Sequence, residues 1–289
     1  MELDSSLTGT LLRPFHATVG RRQMMNYAAA IGDHNVCYFN DESPDDIIAH
    51  PMQSVAVTWP VCGNIRQYLE GDFPEEIITR QVHYTEYLEF HRPIRPEDSL
   101  IISGRIAAIL PHRAGTHVVV RFDARDQDAE PVFTEFMGAM MRGVACLGGG
   151  AGREDVPVLP EHPGASGGWE TRLHIDPLLP YLYDGCTDIV FPIHTSPRFA
   201  RAVGLPGIIL QGTATLALAV RELVNREAGG DPRRLKRLYC RFTGMVIPGS
   251  DITVRLTGAG ARQEGRDLFF QVENGEGQRA LSDGYAAVI

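Results

Sequence analysis

Cysteine, long hydrophobic runs and sorting signals are all scarce in this sequence of 289 residues. Its five cysteines are scattered and none is spaced as CxxC, which favours a reduced, cytoplasmic protein over a disulfide-bonded secreted one. No apolar run approaches the roughly 18 residues needed to cross a bilayer. The acidic start, MELDSS, also lacks the basic and then apolar pattern of a signal peptide. Membrane insertion is therefore not expected.

Positive charge is scarce as well. The chain has 27 Lys and Arg residues against 36 Asp and Glu residues, which gives a formal net charge of −9. That balance argues against nucleic acid or an anionic membrane surface as a partner. Phosphate-binding loops of the GxGxxG type are absent, and no group of histidines, cysteines and carboxylates has metal-ligand spacing. We therefore expect neither a cofactor nor a metal.

The rest of the composition is that of an ordinary globular protein, with 44% hydrophobic and 22% charged residues. The length predicts one large or two medium domains. Residues 148–168, GGGAGREDVPVLPEHPGASGG, hold seven glycines and three prolines and show almost no periodic apolar pattern. Such a composition is typical of a linker. It predicts an N-terminal unit over 1–147 and a C-terminal unit over 169–289.

The two units repeat one order of predicted elements, an apolar helix followed by four strand-like segments. The helices are 50–70, which should kink or break at Pro60, and 208–228. The strands are 82–90, 100–110, 116–124 and 131–145 in the first unit, and 238–247, 251–260, 267–274 and 280–289 in the second. An internal duplication explains this order better than two unrelated α+β domains. A helix that is apolar on nearly all sides is accommodated if an antiparallel sheet curls around it.

Residues 186–223, CTDIVFPIHTSPRFARAVGLPGIILQGTATLALAVREL, hold the most chemically informative residues. His194 lies in a turn ahead of an apolar helix that begins near Gln211 and Gly212. Free N–H groups at a helix N-terminus favour developing negative charge, so the Gly212 N–H could polarise a thioester carbonyl. Two simpler interpretations stay open: Gly212 only permits close packing, and His194 is a structural histidine.

Two segments carry a resemblance to a known family. PIHTSPRFARAVGLPGIILQGTATLA in the second unit, and YAAAIGDHN with IIAHPM in the first, resemble the MaoC-like dehydratase family, also called the hydratase 2 family, in its double-hotdog form. The resemblance implies an α+β fold of two tandem repeats, each with a long central helix wrapped by a curved antiparallel sheet. It also implies that water is added to, or removed from, the 2,3 bond of an acyl thioester. The thioester would be carried by coenzyme A or an acyl carrier protein.

The family's site residues transfer to the second unit only in part. The resemblance makes His194 the acid/base residue and Gly212 the oxyanion donor. The family aspartate position falls on Ile189, and the family asparagine position falls on Phe191. Asp188 lies one residue too early and would need a local bulge to reach the histidine. Gln211 stands where the family has a helix-start histidine, and Tyr183 is a further candidate hydrogen-bond partner.

The first unit departs from the family in a complementary way. It keeps the aspartate as Asp33, but Tyr38 stands at the histidine position, and His50 stands where Gln211 stands in the second unit. Asp33, Tyr38 and His50 are therefore candidates for a second site. On this alignment neither unit has a complete Asp/His pair.

Three functions follow from these features. The first is a hydratase or dehydratase of the MaoC-like type. The second is a repurposed hotdog enzyme that isomerises or cyclises a polyketide-like or fatty-acyl-like substrate, because Ile189 and Phe191 make the site drier. The third is a non-catalytic acyl-binding subunit. A homodimer is expected, because hotdog sheets leave edges that pair.

Overall fold

The computed structural model describes residues 1–70, 73–78, 80–164 and 168–289. The strands are β1 (Glu2–Asp4), β2 (Leu11–Val19), β3 (Gln81–Phe90), β4 (Asp98–His112), β5 (Gly115–Arg125), β6 (Pro131–Arg142), β7 (Ala145–Leu147), β8 (Glu170–His174), β9 (Leu235–Phe242), β10 (Asp251–Ala261), β11 (Arg266–Glu273) and β12 (Arg279–Val288). The helices are α1 (Arg21–Ala30), α2 (Gln53–Gly63), α3 (Ile65–Tyr68), α4 (Glu75–Ile78), α5 (Leu179–Thr187), α6 (Pro197–Ala202) and α7 (Gly212–Glu227). Short 3₁₀ turns lie at Ser5–Leu7, Val36–Tyr38, Arg153–Asp155, Pro192–His194 and Pro232–Arg234.

Within the described residues, one antiparallel sheet of ten strands runs through both repeats. Its order is β2-β4-β5-β6-β3-β9-β12-β11-β10-β8, so five strands of each repeat meet where β3 pairs with β9. A small parallel pair, β1 with β7, lies beside the N-terminal repeat. The predicted α+β architecture of two repeats, each with a long helix against a curved antiparallel sheet, is confirmed.

The two repeats are related by a local twofold axis. Tyr87 on β3 lies directly opposite Tyr239 on β9, and these positions differ by 152 residues (239 − 87). Phe90 and Phe242 differ by the same 152 (242 − 90). In the helical layer the hydroxyl of Tyr27 on α1 lies 2.7 Å from that of Tyr183 on α5.

The central helices are buried on most sides, as their sequences predict. Every residue of α7 from Thr213 to Val220 is buried. The predicted helix over 50–70 is interrupted, but the prediction that Pro60 causes the break is wrong. α2 continues through Pro60 to Gly63 and stops at Asn64, whose backbone is not helical (φ −128°, ψ 32°). The Asn64 side chain then donates to the Pro60 carbonyl at 3.0 Å and closes the end of the helix.

Other boundaries also differ from the sequence prediction. The helix expected over 208–228 begins at Gly212, and the strand expected over 238–247 ends at Phe242. Residues 243–247 lie beyond the end of β9, and the Val246 carbonyl accepts from the Leu210 N–H at 2.9 Å. This bond fixes the chain just ahead of α7. Strand β2 was not predicted, since its alternation is weak and it contains Pro14, which an edge strand tolerates.

None of the helices in the described part of the chain is both long and apolar enough to cross a membrane.

Two carboxyl groups are buried where the repeats join. Glu86 on β3 and Glu135 on β6 are fully buried, and Nε2 of His83 lies 2.9 Å from a Glu86 oxygen. Burial raises the pKa of both carboxyls well above their usual range, and the neighbouring Glu86 adds to the effect on Glu135. Burial therefore favours the neutral, protonated form of both groups in the folded protein.

We expect the Glu86→Gln/Glu135→Gln variant to lose much of the fall in stability between about pH 5 and pH 7, the range just above the ordinary carboxyl pKa. A carboxyl whose pKa is raised on folding stabilises fully below its unfolded pKa, and this contribution falls as pH rises toward the folded pKa. The slope is about 1.4 kcal/mol per pH unit for each proton held only by the folded state. The amides mimic the neutral acids and do not titrate. Urea unfolding at both pH values measures the slopes.

Glu89→Gln is the matched control, because its side chain is partly exposed beside Arg237. It should keep the wild-type slope. Equal slopes for wild type and the double variant would contradict neutral carboxyls in the folded protein.

Candidate active site

His194 is held in one tautomer beside the start of α7. It ends the turn Pro192–His194, and its Nδ1 lies 2.8 Å from the carbonyl oxygen of Ile209, three residues before Gly212. A carbonyl only accepts, so Nδ1 carries the proton and Nε2 presents a lone pair. Burial lowers the pKa of His194, despite the opposing bond to Ile209. The ring is thus neutral near pH 7 and suited to act as a base.

The start of α7, three residues after Ile209, provides a backbone donor. Gly212 is the first helical residue, so its N–H has no acceptor within the helix, and none is found elsewhere among the described residues. Gly212 also packs closely, since a β-carbon at this position would lie 2.8 Å from Cδ1 of Phe242. The two sequence interpretations of Gly212, donor and close packing, are therefore compatible. The buried Gln211 donates to the Pro180 carbonyl at 3.0 Å and ties α7 to α5.

The other candidates of this repeat lie at varying distances from the base. The Phe191 ring is close, with its centroid 6.4 Å from that of His194. Ile189 is buried, and the Tyr183 hydroxyl contacts Tyr27 rather than His194. Asp188 is exposed at the end of α5 in a left-handed conformation (φ 57°). Across the described ranges, no hydrogen bond or ion pair links Asp188 to His194, so the bulge that would bring them together is not present.

The N-terminal repeat holds an Asp/His pair that sequence alignment did not find. Nε2 of His50 lies 3.8 Å from Oδ2 of Asp33, and both side chains are buried. The prediction that neither repeat has such a pair is therefore wrong. The family pattern places the histidine at Tyr38. In the structure the chain folds back after α1, and His50, 17 residues after Asp33 (50 − 33), contacts the aspartate instead. The Tyr38 ring lies beside the pair, 5.6 Å from that of His50.

Burial shifts both members of this pair toward their neutral forms. The Met52 N–H donates to His50 Nδ1 at 3.2 Å, so the neutral ring carries its proton on Nε2. Burial lowers the pKa of His50 to about 3 and raises that of Asp33. Asp33 Oδ1 accepts from Asn35, whereas Asp33 Oδ2, His50 Nε2 and the Tyr38 hydroxyl are buried without a protein partner.

The N-terminal repeat nevertheless lacks a donor for a carbonyl. Pro51 has no N–H and stands where Gly212 stands in the other repeat. The next two N–H groups, of Met52 and Gln53, both donate to His50. Within the described residues, one repeat therefore has a buried Asp/His pair and no free N–H at its helix start, and the other has a free N–H and a base with no carboxylate bonded to it.

A small cleft opens beside His50. Two of its cations are neutralised, because Arg92 pairs with Asp98 and Asp126, and Arg233 pairs with Asp231 and Asp45. Its walls are otherwise mostly apolar. They are formed by Ile48, Ala49, Pro51, Ser54, Phe90, Pro93, Ile94, Phe133, Pro232, Leu235 and Lys236.

Sequence reasoning also missed a contribution of the N-terminal repeat to the C-terminal site. The ring centroid of His83 on β3 lies 4.4 Å from that of Phe242, the residue that covers Gly212. Its counterpart 152 residues later is Leu235 (235 − 83), which lines the cleft beside His50. The sequence signal for this contribution was the 152-residue offset between Phe90 and Phe242, which makes His83 the counterpart of Leu235.

Among the described residues, no three or more His, Cys, Asp or Glu side chains are grouped so as to hold a metal ion.

Known protein families match both repeats. The family described as MaoC like domain matches residues 169–279, and the family described as FAS1-like, dehydratase domain region matches residues 6–135. The fatty acid synthase beta subunit pigK of Monascus ruber is 36% identical over 120 residues, which are 40% of this chain and 6% of that one. The chain spans only 4 to 6% of the length of the fatty acid synthase subunits it matches. The Probable enoyl-CoA hydratase 2 of Dictyostelium discoideum is 22% identical over 285 residues, 96% of this chain and 93% of that one.

Solved structures share the fold along the whole chain. A MaoC-like dehydratase from Phytophthora capsici superposes with a TM-score of 0.80 at 20% identity, covering 97% of this chain and 96% of that one. A Mycobacterium tuberculosis protein described as having a double hotdog fold gives a TM-score of 0.59 at 15% identity, covering 98% and 97%. The chain thus has a double-hotdog fold. Its C-terminal repeat is similar to the MaoC like domain, and its N-terminal repeat is similar to the FAS1-like dehydratase region.

Proposed function

We propose that this protein is a hydratase or dehydratase that acts on the 2,3 bond of an acyl thioester, with the active site in the C-terminal repeat. The observation that carries the proposal is His194, whose Nδ1 is bonded to the Ile209 carbonyl, three residues before the free Gly212 N–H at the start of α7, so that Nε2 presents a lone pair. The relatives named as enoyl-CoA hydratases and as a 3-hydroxyacyl-thioester dehydratase support the same reaction class.

One base and one donor suffice for a balanced reaction. Nε2 of His194 takes a proton from water as the water oxygen bonds to C3 of the enoyl thioester. The π electrons move through C2 to the thioester oxygen, whose negative charge the Gly212 N–H stabilises. The protonated His194 then gives its proton to C2, and the carbonyl re-forms. Dehydration runs through the same steps in reverse.

The second candidate is isomerisation or cyclisation. It is favoured by the apolar residues at the water-binding positions, because Ile189 is buried and the Phe191 ring lies beside His194. Double-bond migration, or attack of a hydroxyl of the substrate itself, needs the base and the donor but no positioned water. A non-catalytic acyl-binding role is the third candidate, and the rigid tautomer of His194 argues against it.

The proposed partner is an acyl thioester of coenzyme A or of a carrier protein. We also propose a cytoplasmic location, supported by five free cysteines, and a homodimer, supported by the edge strands β2 and β8. We further propose that the N-terminal unit ends near residue 147 and that the C-terminal unit begins near residue 169.

Mixing the purified protein with short and medium trans-2-enoyl-CoA esters tests the reaction. We expect loss of the conjugated thioester absorbance and formation of 3-hydroxyacyl-CoA, identified by its mass gain of one water. Supplying 3-hydroxyacyl-CoA should give the reverse reaction. If the folded protein only moves the double bond of these esters, the result would reject hydration and support isomerisation. A folded protein that leaves every ester unchanged would reject hydration of these thioesters.

A further inference from the structure

A row of exposed apolar side chains extends from the Phe191 ring, which lies beside the proposed base. Phe191 is 45% exposed and its ring meets that of Phe199, which is 37% exposed, edge to face at 6.2 Å. Val203 is 54% exposed and lies one helical turn after Phe199, so the two share one face of α6 and its end. Phe191, Phe199 and Val203 are called the apolar collar below.

The collar is a feature of the C-terminal repeat alone. The counterpart of Phe191 in the N-terminal repeat is Asn35, which is fully engaged in holding Asp33 and Asn225 through its side-chain amide. No helix corresponding to α6 lies between Tyr38 and His50 among the described residues of that repeat. The C-terminal repeat therefore has the exposed aromatic ring of Phe191 where the N-terminal repeat has the hydrogen-bonded amide of Asn35.

The collar is also next to the atoms that would react. The Phe191 ring contacts the His194 ring edge-on, with 6.4 Å between centroids. When C3 of a thioester lies at Nε2 of His194, the acyl carbons beyond C4 must leave the site past its walls, and Phe191 is one of them. Contiguous exposed apolar residues of this kind typically mark a binding surface.

We infer that the C-terminal site is built for a long or bulky apolar acyl group, whose distal part lies on the apolar collar and is thereby removed from water. This inference rests on the proposed function, since it takes His194 as the position of C3. The collar then determines specificity, because it contributes binding energy that grows with the acyl chain while touching none of the reacting atoms.

Unreactive thioether analogues of acyl-CoA test the collar without turnover. Isothermal titration calorimetry would compare S-alkyl-CoA compounds with four-, eight- and twelve-carbon chains, below their micellar concentrations. Each methylene fully buried should lower Kd about 4-fold. We expect Kd to fall by on the order of 100-fold or more from the four- to the twelve-carbon analogue. In Phe191→Ser/Phe199→Ser this ratio should fall to about 10 or less, because two aromatic walls are removed.

Val158→Ser is the matched control, since Val158 is 95% exposed in the segment between the repeats. It should keep the wild-type ratio of Kd values. Sedimentation of the wild type and the double variant detects the competing occupant, a second copy of the chain. A wild-type dimer that dissociates in the double variant, with the chain-length ratio unchanged, would overturn the inference. A wild-type ratio near one would also overturn it.

The two proposals fail separately in these experiments. Absence of hydration together with a steep chain-length ratio would reject the reaction and keep the collar as an acyl-binding surface. Rapid hydration with a flat ratio would keep the reaction and reject the collar.

Discussion

His194→Ala is expected to lower kcat/KM for enoyl-CoA hydration by about 100- to 10,000-fold, the range for loss of a positioned acid/base group. The loss should be at the upper end, because no carboxylate in the described part of the chain bonds to His194 and could act in its place. Steady-state rates on the preferred enoyl-CoA ester measure the change. Circular dichroism verifies that the variant is folded, since the substitution also removes the bond to Ile209.

The pH profile separates a base from a structural histidine. Because burial lowers the pKa of His194, the ring stays unprotonated at neutral pH and gains a proton only below the ordinary histidine pKa. The acidic limb of kcat/KM should therefore lie below pH 6.5 in the wild type. His16→Ala, at an exposed position on β2, is the control and should leave rate and profile unchanged. Retention of more than a tenth of the activity in a folded His194→Ala variant would contradict the proposed mechanism.

Gly212→Ala is expected to reduce both stability and activity. The new β-carbon would lie 2.8 Å from Cδ1 and 3.1 Å from Cε1 of Phe242, closer than van der Waals contact allows. Overpacking of this kind typically costs about 1 to 3 kcal/mol of unfolding free energy. If α7 shifts to relieve the contact, the Gly212 N–H moves from the carbonyl position. The rate should then fall toward the roughly 100- to 1,000-fold loss typical of a removed oxyanion donor.

A double-mutant cycle identifies the cause. Phe242→Leu in the Gly212→Ala background should restore much of the stability, giving a coupling energy of about 1 kcal/mol or more. Gly185→Ala is the matched control, because it lies within α5 and its added methyl group meets no atom within 4 Å. Equal stability losses for Gly212→Ala with and without Phe242 would exclude the clash as the cause.

The two repeats divide the residues of the proposed hydratase reaction unequally. The N-terminal repeat keeps Asp33 and His50 at 3.8 Å, which suits the binding of a water molecule or a hydroxyl. Its carbonyl donor is lost to Pro51. The C-terminal repeat keeps the base and the Gly212 donor, but Ile189 replaces the carboxylate. This division favours chemistry in the C-terminal repeat, because polarising the carbonyl is the step that a single base cannot supply.

The repeats, their long helices and most strands were predictable from the sequence. Their signals are local, since apolar periodicity within a segment determines whether it forms a helix or a strand. The family resemblance likewise indicated His194 and Gly212 from contiguous segments. The predicted boundaries were less accurate at Phe242, where β9 ends, and at Gly212, where α7 begins. Between them the Leu210 N–H donates to the Val246 carbonyl, a tertiary contact that no local pattern indicates.

What the sequence by itself determined is thus the duplicated α+β architecture and the residue types near each helix start. Only the tertiary structure decided which of these residues meet. It paired Asp33 with His50, brought His83 of one repeat against Phe242 of the other, and buried Glu86 and Glu135 where the repeats join. The reason is physical: these contacts depend on sheet register and on the packing of α1, α2, α5 and α7, which act over distances that no local pattern encodes.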